Sequence, residues 1–177
     1  SFVEDGEGIV ASSSDLDMEN AAVYNVGGGV TVVTLGLTGE YSMPSNITLF
    51  FDKNNKVLQT NEMLVTKNEL GNFQVSTHMN GVLIKSQDSG VAFMTDEELL
   101  AEEPVTIQPA GVKEVAACIG VVLGVGSTIA YLMTLACGGS CAAPTPVTVV
   151  ICAACIGGYA LVGGKALDNV VACFDKL

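Results

Sequence analysis

All six cysteines of this chain lie in its C-terminal third, in a segment that carries almost no charge. They are Cys118, Cys137, Cys141, Cys152, Cys155 and Cys173. Val115 to Cys137 holds 23 positions without a charged side chain, and Val147 to Gly164 holds another 18. A helix over the first stretch measures about 34 Å, enough to cross the apolar core of a bilayer. The second stretch lies at the short end of the spanning range. Between them stand Gly138-Gly139-Ser140 and then Ala142-Ala143-Pro144-Thr145-Pro146. Glycine followed by proline in this order reads as helix stop, turn and restart. The segment is therefore expected to be an apolar helical hairpin, with each arm open to a break at glycine. Gly120 and Gly124 form a GxxxG pair that allows helices to approach closely.

Helical geometry narrows the cysteine pairing. Cys137 and Cys141 are four residues apart and share a helix face if the first arm runs on through Gly138-Gly139, while Cys152 and Cys155, three apart, share a face of the second arm. Folding back at Pro144–Pro146 brings the two pairs together, nesting Cys141–Cys152 inside Cys137–Cys155. Cys118 stands about as far before Cys137 as Cys173 stands after Cys155, so Cys118–Cys173 closes the open end. The ladder requires Cα atoms within about 7 Å in each pair. A four-thiolate zinc or copper site is the main competitor, but such sites usually sit on polar knuckles, and these thiols sit among Ala, Val and Ile. A redox CxxC at Cys152–Cys155 lacks the charged neighbours that lower a thiol pKa. Neither a metal nor a cofactor is expected. An even cysteine count in one short module points to an oxidising compartment and a secreted or cell-surface protein, although no leader pattern is visible in Ser1–Ala11.

The rest of the chain has the opposite character. Residues 1–110 hold 16 of the 19 carboxylates and four of the seven lysines, hence the entire net charge of −12. The chain lacks arginine altogether, which argues against nucleic acid as a partner, because affinity for phosphates comes mainly from Lys and Arg. Three divisions follow: an acidic β-rich pro- or immunity-like module over 1–104, a linker over 105–112 and the cysteine module over 113–177. Pro104, Pro109, Ala110 and Gly111 mark the linker as a place for a processing protease to cut.

In the acidic module, residues 1–20 read as a loose arm or an edge. Val30–Leu37 is rich in β-branched residues. Ile47–Asp52 and Lys56–Thr60 flank Lys53-Asn54-Asn55, and Phe73–His78 and Val82–Ser86 flank Asn80-Gly81, a strong hairpin signal. Met63–Thr66 is a further short strand. The expectation is an antiparallel meander of about five or six strands. Thr95-Asp96-Glu97-Glu98 has the form of a capping box that opens a short helix. The fold class is thus α+β, an N-terminal antiparallel β-meander followed by a disulfide-linked C-terminal α-helical hairpin.

Catalytic chemistry is hard to assemble. The single histidine, His78, reads as an exposed or edge-strand residue without partners, and an enzyme is not expected. Gly27-Gly28-Gly29 lacks the spacing of a phosphate loop and reads as a turn. The acidic runs Asp15–Glu19 and Asp96–Glu103 do not have EF-hand spacing and read as solvated faces. Asn46-Ile47-Thr48 fits the N-glycosylation pattern.

The run CGGSCAAPTPVTVVICAACIGGYALVGG, carrying Cys137, Cys141, Cys152 and Cys155, resembles the C-terminal toxin segment of halocin-C8-like bacteriocins. The resemblance covers the cysteine module, from Lys113 to Leu177, and does not extend to residues 1–110. It implies a Cys-, Gly- and Ala-rich helical peptide released from the end of a larger secreted precursor whose upstream part is associated with immunity. The functional expectation is a secreted bacteriocin-like proprotein, with a target cell membrane as the partner of the released hairpin. The alternative is a structural protein in which the hairpin self-associates as the core of a filament or surface layer.

Overall fold

The computed structural model of the chain describes residues 8–103, 112–141, 155, 169 and 172–174. Its N-terminal part is one six-stranded sheet in sequential order, with every neighbouring pair antiparallel. The strands are β1 (Leu16–Gly27), β2 (Val30–Leu37), β3 (Asn46–Phe51), β4 (Val57–Lys67), β5 (Asn72–Met79) and β6 (Val82–Ala92). The helices whose bounds are described follow: α1 (Asp96–Ala101), α2 (Val112–Leu123) and α3 (Ser127–Cys141). The α+β class expected from the sequence is the one observed.

Turn chemistry sets the hairpins. Asn80 and Gly81 take φ values of 51° and 76°, and Gly28 and Gly29 take 63° and 76°. Two successive positive φ angles make the tight turn whose twist matches that of the flanking strands. The glycine run is thus the turn of the first hairpin. Residues 16–20 belong to β1, an edge strand, which agrees with the edge reading of that segment, and an irregularity lies between Asp17 and Ala21 where the register to β2 shifts. One sequence expectation is corrected. Lys56–Thr60 and Met63–Thr66 are not two strands, because β4 runs unbroken from Val57 to Lys67 and pairs with both β3 and β5.

Strand alternation gives the sheet two buried sides. Met63 and Val65 of β4 lie beside Thr77 and Val75 of β5 and face the helices with Phe73. The other side carries Leu35, Ile47 and Leu49 together with Leu16, packed by Ile9 of the N-terminal segment. Two apolar sides of one sheet demand two covers. The helices supply one and residues 8–16 contribute to the second.

Thr95 opens α1 with the expected capping box: its hydroxyl accepts from the Glu98 N–H, and the Glu98 carboxylate accepts from the Thr95 N–H. Leu99 of α1, Val115 and Ile119 of α2, and Ile129, Leu132 and Met133 of α3 join Met63, Val65, Phe73 and Val75 in a single apolar cluster. The sheet and the helices therefore share one core.

Candidate functional site

The site is the cysteine-tied helical layer and the surfaces that hold it. Along α3, Ile129, Met133, Cys137 and Cys141 follow one another at every fourth position, and all are buried. That spacing makes one stripe on a helix, and it carries the two cysteines onto the core side. α3 runs through Gly138-Gly139 as far as Cys141, the condition on which the shared face of Cys137 and Cys141 depended.

Two disulfides join described residues. Cys118 joins Cys173 with Cα atoms 5.6 Å apart, and Cys137 joins Cys155 with Cα atoms 5.7 Å apart. Both pairs are those of the nested ladder. Cys141 is also disulfide-bonded. Its expected partner, Cys152, lies outside the described residues, as do the linker residues Pro104, Pro109, Ala110 and Gly111. The disulfides suit an oxidising environment.

The first arm is not one rod. α2 ends at Leu123 and α3 begins at Ser127. Gly124 takes φ +67°, and the Val125 N–H donates to the Gly120 carbonyl at 3.1 Å. This is the hydrogen bond of a Schellman stop with glycine in the left-handed position. Open space surrounds the place where a Cβ of Gly124 would sit. Gly124 thus terminates a helix, a different role from the close packing that its GxxxG spacing suggested. Among the described residues no helix is long and apolar enough to cross a membrane.

The next helix starts on a carboxylate from elsewhere. Glu102, the C-cap of α1, accepts from the Thr128 N–H at 3.0 Å and from the Thr128 hydroxyl at 2.8 Å. A carboxylate at a helix N-terminus satisfies an otherwise orphaned donor and complements the helix dipole. Gly126 leaves room for it, since a Cβ there would stand 2.5 Å from the Cβ of Glu102. A second tie runs from the Lys85 ammonium of β6, which donates to the Leu135 carbonyl of α3 at 3.2 Å.

On the opposite side of the sheet, Glu62 is 3% exposed. Its carboxylate accepts from the Val10 N–H at 3.0 and 2.9 Å and from the Ala11 N–H at 2.8 Å. The Thr60 hydroxyl donates to the Gly8 carbonyl alongside. These bonds strap residues 8–11 across the sheet. At this acidic end the Tyr41 phenol is pushed above its usual pKa, first by partial burial and then by the Glu40, Asp15 and Glu62 carboxylates.

His78 is not on an edge strand: β5 pairs on both sides, and its buried Nδ1 has no hydrogen-bond partner among the described residues. A cleft of about 290 Å³ lies nearby between sheet and helix, with Met63, Met79, Ile84, Lys85, Ala136 and Cys155 among its lining. Among the described residues no group of His, Cys, Asp or Glu is arranged to hold a metal ion. Asn46 of the glycosylation pattern is buried in β3, and its amide donates to the Pro44 carbonyl, so the folded chain does not present it. Glu62 went unnoticed in the sequence, and Glu102 was read only as part of a solvated acidic face, whereas it is half-buried and caps α3. A carboxylate within the strand run Gln59–Val65 was the available signal for the first, and Glu102 had none, because its partner Thr128 is remote along the chain.

Comparison of the chain with known protein families, with curated proteins and with solved structures finds no match in any of the three.

Proposed function

We propose that this chain is a secreted bacteriocin-like proprotein whose C-terminal cysteine module becomes membrane-active once released from the acidic N-terminal module. The observation that carries the reading is the shared core. The apolar faces of α2 and α3 lie in one cluster with Met63, Val65, Phe73 and Val75 of a sheet whose module holds the whole net charge. Apolar helices need an apolar cover. While joined to the sheet they have one in water; once separated from it, lipid is the natural replacement. Residues 111–177 carry three lysines against three carboxylates, so insertion would be driven by apolar burial and helix association rather than by attraction to anionic lipid. The test is to cut between residues 104 and 111 and measure dye release from lipid vesicles. Release by the cut chain and little by the intact one is expected. A cut chain as inert as the intact one would sink the proposal.

A second reading, a self-assembling extracellular structural protein, is favoured by one feature. The edge strand β6 exposes Val82, Leu83 and Ile84 beside Met79, and an unprotected apolar edge is a template for pairing with another chain. Negative-stain images separate the two readings, because only this one expects regular polymers of the uncut chain.

A further inference from the structure

The break between α2 and α3 bears on how the released module would meet a bilayer. We propose that Gly124–Gly126 is a conformational switch between a bent stored form, capped by Glu102, and a straight helix of membrane-spanning length. The inference rests on the membrane-active reading above.

As bent, α2 has 12 residues and α3 has 15, so they measure about 18 and 22 Å. Neither reaches across a hydrocarbon core of about 30 Å. Joined into one helix, the uncharged run Val115–Cys137 measures about 34 Å and does reach. Nothing in the run forbids the joined form. The three residues at the break are Gly, Val and Gly, with no proline among them. A Cβ at Gly124 would meet open space.

The bend is favoured within the two helices by their mutual packing and by the Val125–Gly120 hydrogen bond, and it is also held from outside them. In a continuous helix the Thr128 N–H would donate to the Gly124 carbonyl. Here it donates to Glu102, as does the Thr128 hydroxyl. Glu102 belongs to the acidic module and follows α1, whose Leu99 is anchored in the sheet's core. Removing the module removes the cap and leaves the first N–H groups of α3 to find other partners. Water can supply them, but lipid cannot, and unsatisfied backbone groups in hydrocarbon cost several kcal/mol each. Entry into a bilayer therefore drives the break to close.

The disulfides permit both forms. The stretch from Cys118 to Cys137 on one arm is only one position longer than the stretch from Cys155 to Cys173 that their partners bound. In two straight antiparallel helices those stretches span nearly equal lengths, so the same rungs stay closed when the arms extend.

The lock for a test is Ser127→Pro. Ser127 is exposed and is the first residue of α3, where proline is well tolerated, whereas the same proline inside a continuous helix breaks it. Spin labels carried by non-natural residues at exposed Val121 and at Gly138, where a side chain meets open space, report the form. The full disulfide-bonded chain is cut in the linker and added to phosphatidylcholine–phosphatidylglycerol vesicles. The rise of a continuous helix gives an expected label separation of about 26 Å there, with a shorter one in the intact chain in water. Ser127→Pro should keep the shorter distance and lose dye release. Glu102→Ala serves as a second variant, needing no proline, and should raise release by the uncut chain about fivefold, the equivalent of one lost helix cap. Release with an unchanged distance, or full release by Ser127→Pro, overturns the switch and leaves the membrane reading standing. Absence of release from every form overturns that reading instead.

Discussion

Glu62 shows how one buried carboxylate organises a terminus. Strand β4 places it on the side of the sheet opposite the helices, next to Ile47 in register, where water is excluded. A charge in that position needs donors, and the backbone amides of Val10 and Ala11 provide them. Alanine at 62 would leave both amides without their acceptor. Hydrogen bonds to charged groups are worth about 1.5–3 kcal/mol, so Glu62→Ala is expected to lower unfolding stability by about 2 kcal/mol in urea titrations. Residues 8–12 should also become the first site of proteolytic cutting. A loss of under half a kcal/mol, with the segment still protected, would show that the strap is held by Ile9 packing instead. Glutamine, which keeps an acceptor, should fall between the two.

Between elements, the disulfides hold what the short helices do not hold alone. Helices of 12 and 15 residues are marginal in water without tertiary packing. Cys118–Cys173 closes a separation of 55 residues, and Cys137–Cys155 one of 18. Chain-entropy arguments give about 4 kcal/mol for the longer loop and about 3 kcal/mol for the shorter. Replacing Cys118 and Cys173 together by alanine should therefore destabilise the chain more than replacing Cys137 and Cys155, as read from thermal unfolding. Removing the outer bridge should cost more when the inner one is already absent, since the inner bridge shortens the loop that the outer one closes. The reverse order would mean that native packing around Cys137, rather than loop closure, dominates.

At the scale of the whole molecule, the shared core predicts cooperative unfolding. Phe73 is fully buried, meets the Phe93 ring in a tilted contact with 5.1 Å between ring centroids, and lies in the cluster that contains α2 and α3. Truncating a buried phenylalanine to alanine typically costs about 3–5 kcal/mol. Phe73→Ala should lower the stability of sheet and helices together, so that helical circular dichroism and tyrosine fluorescence lose their signals at one urea concentration. Two separated transitions would mean that the layers fold independently.

Much of this was legible in the residues. Asn80-Gly81 and Thr95–Glu98 act through bonds and backbone angles confined to a few neighbours, so their turn and capping box could be read directly. The spacing of Cys118, Cys137, Cys155 and Cys173 reported the pairing because the two stretches it bounds are nearly equal in length. The uncharged run Val115–Cys137 left the matter open: its composition permits one long helix, and its glycines permit a break. The choice between one helix and two rests on contacts distant in sequence, with Glu102 capping Thr128 and the β4–β5 surface offering the apolar faces a cover within one chain. Glu62 and the strap at Val10 and Ala11 belong to the same class. Local chemistry is written along the chain, but which surfaces meet depends on burial summed over residues that only folding brings together.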